Sequence, residues 1–189
     1  NYDAIKNELD IEDFIDYLMV NQFVGNWDWP HNNWYASKRN VEGGKWRFHS
    51  WDAEHVTDSN NDVGESPTDL HSKLIRNKEY QLRMADLIRQ HFYNDGVLTS
   101  ENTSELWAKR MTEVDQAIRG ESARWGDNRS SRAHTRTEWM QYNGEGRGLL
   151  GRYFPGRSNT VLGQLKSARI YPSLDAPEFG QHGGDVPAN

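Results

Sequence analysis

Apolar residues recur at helical spacing early in the chain. Ile11, Phe14, Ile15, Leu18, Met19 and Phe23 fall on one face of a helix. Asp10 suits its N-cap, Glu12 and Asp13 suit the positive end of its dipole, and Gly25-Asn26 suit its end. The periodicity then breaks. Residues 26–33 are rich in turn formers and aromatics, and two short extended runs follow, 34–37 and 45–49. Glu42-Gly43-Gly44 between them reads as a hairpin turn. Residues 57–69 are a long polar loop, and loops of that length inside a domain are usually functional or mobile.

Helical spacing returns in the second half. Leu82, Ala85, Leu87, Ile88 and Phe92 predict a helix that Asn94-Asp95-Gly96 ends. Thr99 or Ser100 caps a further helix bearing Leu106, Met111, Val114 and Ile118. The stretch 127–137 reads as a polar loop, and two short helices are expected near 146–154 and 158–168. From Tyr171 the chain is rich in Pro and Gly. Residues 172–189 therefore read as a linker toward a further domain, leaving 1–171 as the folded unit. The expectation is an α+β domain, mainly helical, with one small β-hairpin.

Composition changes that picture in one respect. Leu, Ile, Val and Phe make up just under a fifth of the 189 residues, a level that touches the composition of disordered chains. Against disorder stand a net charge of only −6 and 8 Trp, 8 Tyr and 6 Phe. Each aromatic buries on the order of 150–250 Å², so a core is attainable with few aliphatics. Trp34 and Trp46 are expected in that core. The acidic balance argues against a nucleic-acid partner, and no run approaches the ~20 apolar residues of a membrane span. Cysteine is absent, which removes disulfides, thiolate metal sites and thiol nucleophiles together.

Three residues could carry chemistry. Asp28 lies in the loop after the first helix, Asn33 follows five positions later, and Asp52 closes the second extended run. That order is found at the phosphotransfer end of protein-kinase-like folds. There one carboxylate orients or deprotonates an acceptor hydroxyl, while an amide oxygen and a second carboxylate hold Mg²⁺ against the phosphates. Spacing alone leaves a plain alternative open, since Asp and Asn are also common turn residues.

Longer stretches bear on that choice. Phe14-Ile15-Asp16-Tyr17-Leu18, the run from Gly25-Asn26-Trp27-Asp28 to Asn33-Trp34-Tyr35, and Gly44-Lys45-Trp46-Arg47-Phe48-His49-Ser50-Trp51-Asp52 resemble the spore-coat-protein-H (CotH) kinase family. Residues 121–127, Tyr153-Phe154-Pro155-Gly156-Arg157 and Leu174-Asp175-Ala176-Pro177 look like its bacterial multidomain members. The resemblance covers roughly residues 10–178. It implies a protein-kinase-like C-lobe and use of ATP and Mg²⁺ to phosphorylate Ser or Thr of secreted or coat proteins. By position, Asp28 resembles the catalytic Asp, and Asn33 and Asp52 the metal-binding pair. Trp51 would flank the nucleotide or metal. A bacterial secreted or cell-surface location follows from the same resemblance. No glycine-rich loop or phosphate-binding Lys precedes Asp28, so the N-lobe is expected to be absent. The sequence reads as a C-terminal lobe, expected to be inactive by itself, whose parent chain is the kinase and has further domains upstream and downstream. A non-catalytic surface-binding module that keeps the kinase-like fold is the alternative.

Two metal readings compete with this one. Asp58, Asn60, Asp62 and Asp69 have the spacing of a Ca²⁺ loop, but Val63 stands where the loop's glycine belongs. His49, Asp52 and His55 are close in sequence but would not share one face of a strand, which disfavours zinc.

Overall fold

The structure, a computed structural model, describes residues 1–57, 63–128 and 131–174. Its elements in chain order are α1 (Tyr2–Glu8), α2 (Ile11–Val24), β1 (Trp34–Lys38), β2 (Trp46–Ser50), α3 (Leu70–Leu74), α4 (Lys78–Phe92), α5 (Ser100–Trp125), α6 (Arg136–Asn143), α7 (Leu149–Arg152) and α8 (Phe154–Ser167). A 3₁₀ turn, Pro67–Asp69, leads into α3. The fold is mainly helical with one two-stranded antiparallel sheet. No described helix is long and apolar enough to cross a membrane.

The central element is α2. Asp10 caps it, its carboxylate accepting from the Asp13 amide at 3.3 Å. Phe14, Ile15 and Leu18 are fully buried. The helix is covered by the hairpin, α4 and α8. Phe14 meets Phe48 of β2 with ring centres 5.1 Å apart, and Phe23 meets Phe92 of α4 at 6.1 Å. Burial extends past the apolar face read from the sequence, because Asn21 and Gln22 are buried as well. Their amides reach other segments. Asn21 donates to the Tyr17 carbonyl at 2.8 Å and to Ser50 Oγ at 3.2 Å, and Gln22 donates to the Val63 carbonyl at 2.9 Å. A buried amide must be bonded to be tolerated. These bonds therefore fix where the hairpin ends and where residue 63 re-enters the core.

The hairpin pairs Trp34 with Ser50 through Lys38 with Trp46. It docks on the start of α2, where the Asp10 amide donates to the Trp46 carbonyl at 3.0 Å and Arg47 pairs with the Asp10 carboxylate at 2.7 Å. β2 runs one residue later than the pattern suggested. Trp34 packs against the core beside Phe48, but Trp46 is exposed, contrary to expectation. Its aromatic neighbour in sequence order, Phe48, supplies the inward contact instead.

The helical second half differs from the sequence reading in detail. In α4 the buried residues are Tyr80, Met84, Leu87, Ile88 and Phe92, whereas Leu82 is exposed. Thr99, not Ser100, caps α5. The polar stretch after α5 is interrupted by α6, which a reciprocal Thr135–Glu138 capping box starts. Arg136, expected in a loop, lies in α6 and pairs with Asp115 of α5. α1, α3 and α6 are all absent from the periodicity reading; each has at most two fully buried side chains, so each leaves little apolar pattern.

His71 of α3 is buried at 1 % exposure, with Nδ1 2.9 Å from the Tyr80 hydroxyl. Burial pushes its imidazole pKa from 6.5 down to about 4. The folded state then binds fewer protons than the unfolded chain between those values, so stability is complete above about pH 6.5 and falls as pH drops toward 4. Urea unfolding at about pH 7 and about pH 4.5 should show roughly 2–3 kcal/mol of loss from this group. His71→Gln should flatten that part of the profile; an unchanged pH dependence would exclude His71 as its source.

Candidate active site

The site is built where α2 ends and the hairpin closes. Gly25 ends α2 in the left-handed conformation (φ 61°), which glycine adopts at no steric cost. Its amide and that of Asn26 fold back onto carbonyls of Asn21 and Gln22. The chain then turns through Trp27 to Pro30. Trp29 and Pro30 are buried, and Trp29 packs edge-on against Tyr17 at 5.5 Å. Asp28, between an exposed Trp27 and the buried Trp29, is itself buried at 7 % exposure.

The hairpin register brings the other two residues to it. Continued one step beyond Trp34–Ser50, the ladder sets Asn33 opposite Trp51, and the Trp51 amide donates to the Asn33 carbonyl at 2.8 Å. Asn33 and Asp52 both have left-handed backbone (φ 54° and 50°). Asn and Asp are the residues, after glycine, that best accept it. Asn33 Nδ2 donates to Asp28 Oδ2 at 2.7 Å and lies 3.4 Å from the Asp52 carbonyl oxygen. One amide thus joins the two acidic residues across 24 positions of sequence. The Asp52 residue is exposed, and Trp51 is 64 % exposed beside it.

Asp28 Oδ1 is buried and has no hydrogen-bond partner among the described residues. A buried, unpaired carboxylate oxygen is unfavourable, so it stands ready to accept a proton donor or a cation. With Nδ2 turned to Asp28, Asn33 keeps its amide oxygen for a ligand. A carboxylate, an amide oxygen and a second, exposed carboxylate are hard oxygen donors of the kind Mg²⁺ takes when it retains part of its water shell. This donor set fits the metal that the sequence resemblance implies.

The residues of the zinc reading do not converge. His49 bonds Ser37 Oγ at 2.7 Å and stacks on Tyr35, while His55 pairs with Glu54 and stacks on Trp27. Among the described residues no cluster of three or more His, Asp or Glu could hold a metal. Asp69 stands at the head of α3 without a capping bond; Asp58, Asn60 and Asp62 lie outside the described residues.

Periodicity left two contributions to the frame of the site unread. Arg157 of α8 is buried at 3 % exposure; its Nε donates to the Phe23 carbonyl at 2.5 Å and its Nη2 to the Gln22 carbonyl at 2.7 Å. Tyr153 adds its hydroxyl to the Phe23 carbonyl at 2.8 Å, under the guanidinium. These groups occupy carbonyls at the negative end of α2, directly before the Asp28 loop. The signal for it was a lone Arg among apolar positions of a helical stretch. A second contribution comes from Tyr142 of α6, whose hydroxyl lies 3.1 Å from Thr57 Oγ1. The Thr57 amide in turn donates to the Val24 carbonyl.

The sequence model of the CotH kinase protein family matches residues 1–147. This chain belongs to the CotH kinase family. The matched span contains Asp28, Asn33, Trp51 and Asp52, and ends before α8 and its Arg157. No curated protein and no solved structure matches the chain.

Arg157→Met should leave two buried carbonyls short of a charged donor and lower stability by roughly 3 kcal/mol in urea unfolding. Arg157→Lys should recover only part of the loss, because one ammonium cannot reproduce the guanidinium fork. A change below about 0.5 kcal/mol in Arg157→Met would show that the contact is dispensable.

Proposed function

We propose that this chain carries the catalytic-Asp and metal-binding part of a protein kinase centre, with a kinase-like C-lobe as its scaffold. The reaction is transfer of the terminal phosphoryl group of ATP to a Ser or Thr hydroxyl of a protein. The observation that carries this reading is the Asn33 amide placed between the buried Asp28 carboxylate and Asp52. Membership of the CotH kinase family supports it.

The roles follow from the environments. Asp28 is the buried carboxylate with a free oxygen, so it receives the acceptor hydroxyl and holds its proton as the new O–P bond forms. Asn33 fixes the Asp28 rotamer through Nδ2 and offers its amide oxygen to the cation. Asp52, exposed at the mouth, supplies the metal-binding carboxylate. When bound there, Mg²⁺ would neutralise charge on the transferring phosphates. Trp51 and Trp27, both exposed, supply flat apolar surface for the nucleotide or the acceptor.

Transfer of labelled phosphate from ATP in Mg²⁺ by the full-length protein tests the assignment. Asp28→Asn and Asp52→Asn should each lower the rate by roughly 100-fold or more, with melting temperatures close to that of the parent. Full activity in either variant would remove that residue from the chemistry, and full activity in both would overturn the reading.

A further inference from the structure

A cavity of about 780 Å³ lies between the C-terminal half of α5, α6 and α7. That volume is within the range of ligand-binding clefts. Ile118, Trp125, Trp139 and Leu149 give it apolar and aromatic walls, and Tyr142 lines it as well. Three arginines, Arg132, Arg147 and Arg152, and two glutamates, Glu121 and Glu138, also line it. The lining is therefore net positive on a chain whose net charge is −6. Arg132 is engaged with Glu138 at 3.7 Å. The guanidiniums of Arg147, just before α7, and Arg152, at its last position, have neither ion pair nor hydrogen bond among the described residues.

The cavity is joined to the active-site segment. Tyr142 lines it and also touches Thr57, five residues beyond Asp52. A chain held at Asp28 could continue past Thr57 into this groove. We propose that the groove binds the acceptor protein through acidic side chains flanking its Ser or Thr, with Arg147 and Arg152 taking the carboxylates and the Trp125–Trp139 walls taking adjacent apolar residues. This deepens the kinase reading and rests on it for the word acceptor. Arginine is the suitable cation here, because its planar fork matches a carboxylate and its face stacks on aromatics.

Binding can be read without nucleotide, which separates it from phosphotransfer. The probe is a fluorescein-labelled peptide of about twelve residues, a Ser flanked by Asp, Glu and Leu, with Asn/Gln and Lys counterparts as controls. Anisotropy at low salt should show the acidic peptide bound at least about 10-fold more tightly than either control, and weakened as salt rises. The double variant Arg147→Glu with Arg152→Glu should lose that preference, with a melting temperature close to the parent's. Equal binding of the neutral peptide, no binding of any peptide, or an unchanged preference in the double variant would each overturn the proposal. Acidic-peptide binding by a full-length protein that transfers no phosphate would sink the kinase reading and leave the groove assignment standing.

Discussion

The structure depends on how the far end of α2 is satisfied. A helix buried on most of its surface cannot leave its last carbonyls to water, and unpaired carbonyls in a core are costly. Here three devices meet them. Gly25 reverses the chain so that its own amide and that of Asn26 turn back, and Arg157 and Tyr153 arrive from α8 to bond Gln22 and Phe23. The guanidinium brings positive charge to the negative end of the helix dipole. Asp28 lies three residues after Gly25, so its position is set by the same bonds. The arrangement couples a helix 130 residues downstream to the geometry of the first catalytic candidate.

The second constraint is the hairpin register. A one-residue slip would turn every side chain of β2 to the opposite face and carry Asp52 away from Asn33. The register is held from both ends. Asp10 and Arg47 tie the Trp46 end to the start of α2, and Asn21 holds Ser50 near its close. Phe48 anchors the middle through Phe14, Tyr17 and Trp34. With those fixed, the left-handed turns at Asn33 and Asp52 finish the site, and no glycine is needed because Asn and Asp tolerate the conformation. The polar residues buried in α2 are thus part of what places the candidate site, although they are not among its proposed residues.

How much of this could be read from the sequence depended on whether a feature is local. The α2 cap, its glycine end and the hairpin were legible because each is written within a few consecutive residues. Asp28, Asn33 and Asp52 were singled out by their order along the chain, and it is the hairpin register that brings the Asn33 amide beside the Asp28 carboxylate and the Asp52 carbonyl. The polar ties of Asn21 and Gln22 were not, because periodicity treats an amide as a solvent position and their partners are 29 and 41 residues away. Trp46 was misplaced for a related reason. Aromatic content says that a residue can be buried, and Trp46 does share its strand face with Phe48. It pairs with Lys38 at the turn end of the hairpin, however, and is exposed, while Phe48 in the middle of the strand reaches Phe14 and Tyr17. α6 was hidden inside a polar run, since its capping box is a local signal without an apolar stripe behind it.

The family match ends at residue 147, yet the physical unit does not end there. Beyond it, Phe154, Val161 and Leu165 of α8 are in the core, and Ile170 and Tyr171 close it. Phe154 packs on Trp107 of α5, so α8 bridges the α5 wall to α2. Arg157 is the point where that bridge becomes relevant to chemistry, because it bonds the helix end rather than merely covering it. A segment outside the matched span therefore completes the frame on which Asp28 is mounted. The same bridge links the site to the groove beside α7: α7 and α8 are consecutive, Arg152 lines the groove, and Tyr153 and Arg157 hold α2. One short stretch, from residue 147 to residue 157, thus faces the groove on one side and supports the Asp28 loop on the other. A substitution at Arg157 would for that reason move both together, whereas one at Arg147, which lies outside the α8 contacts with α2, would act on the groove alone.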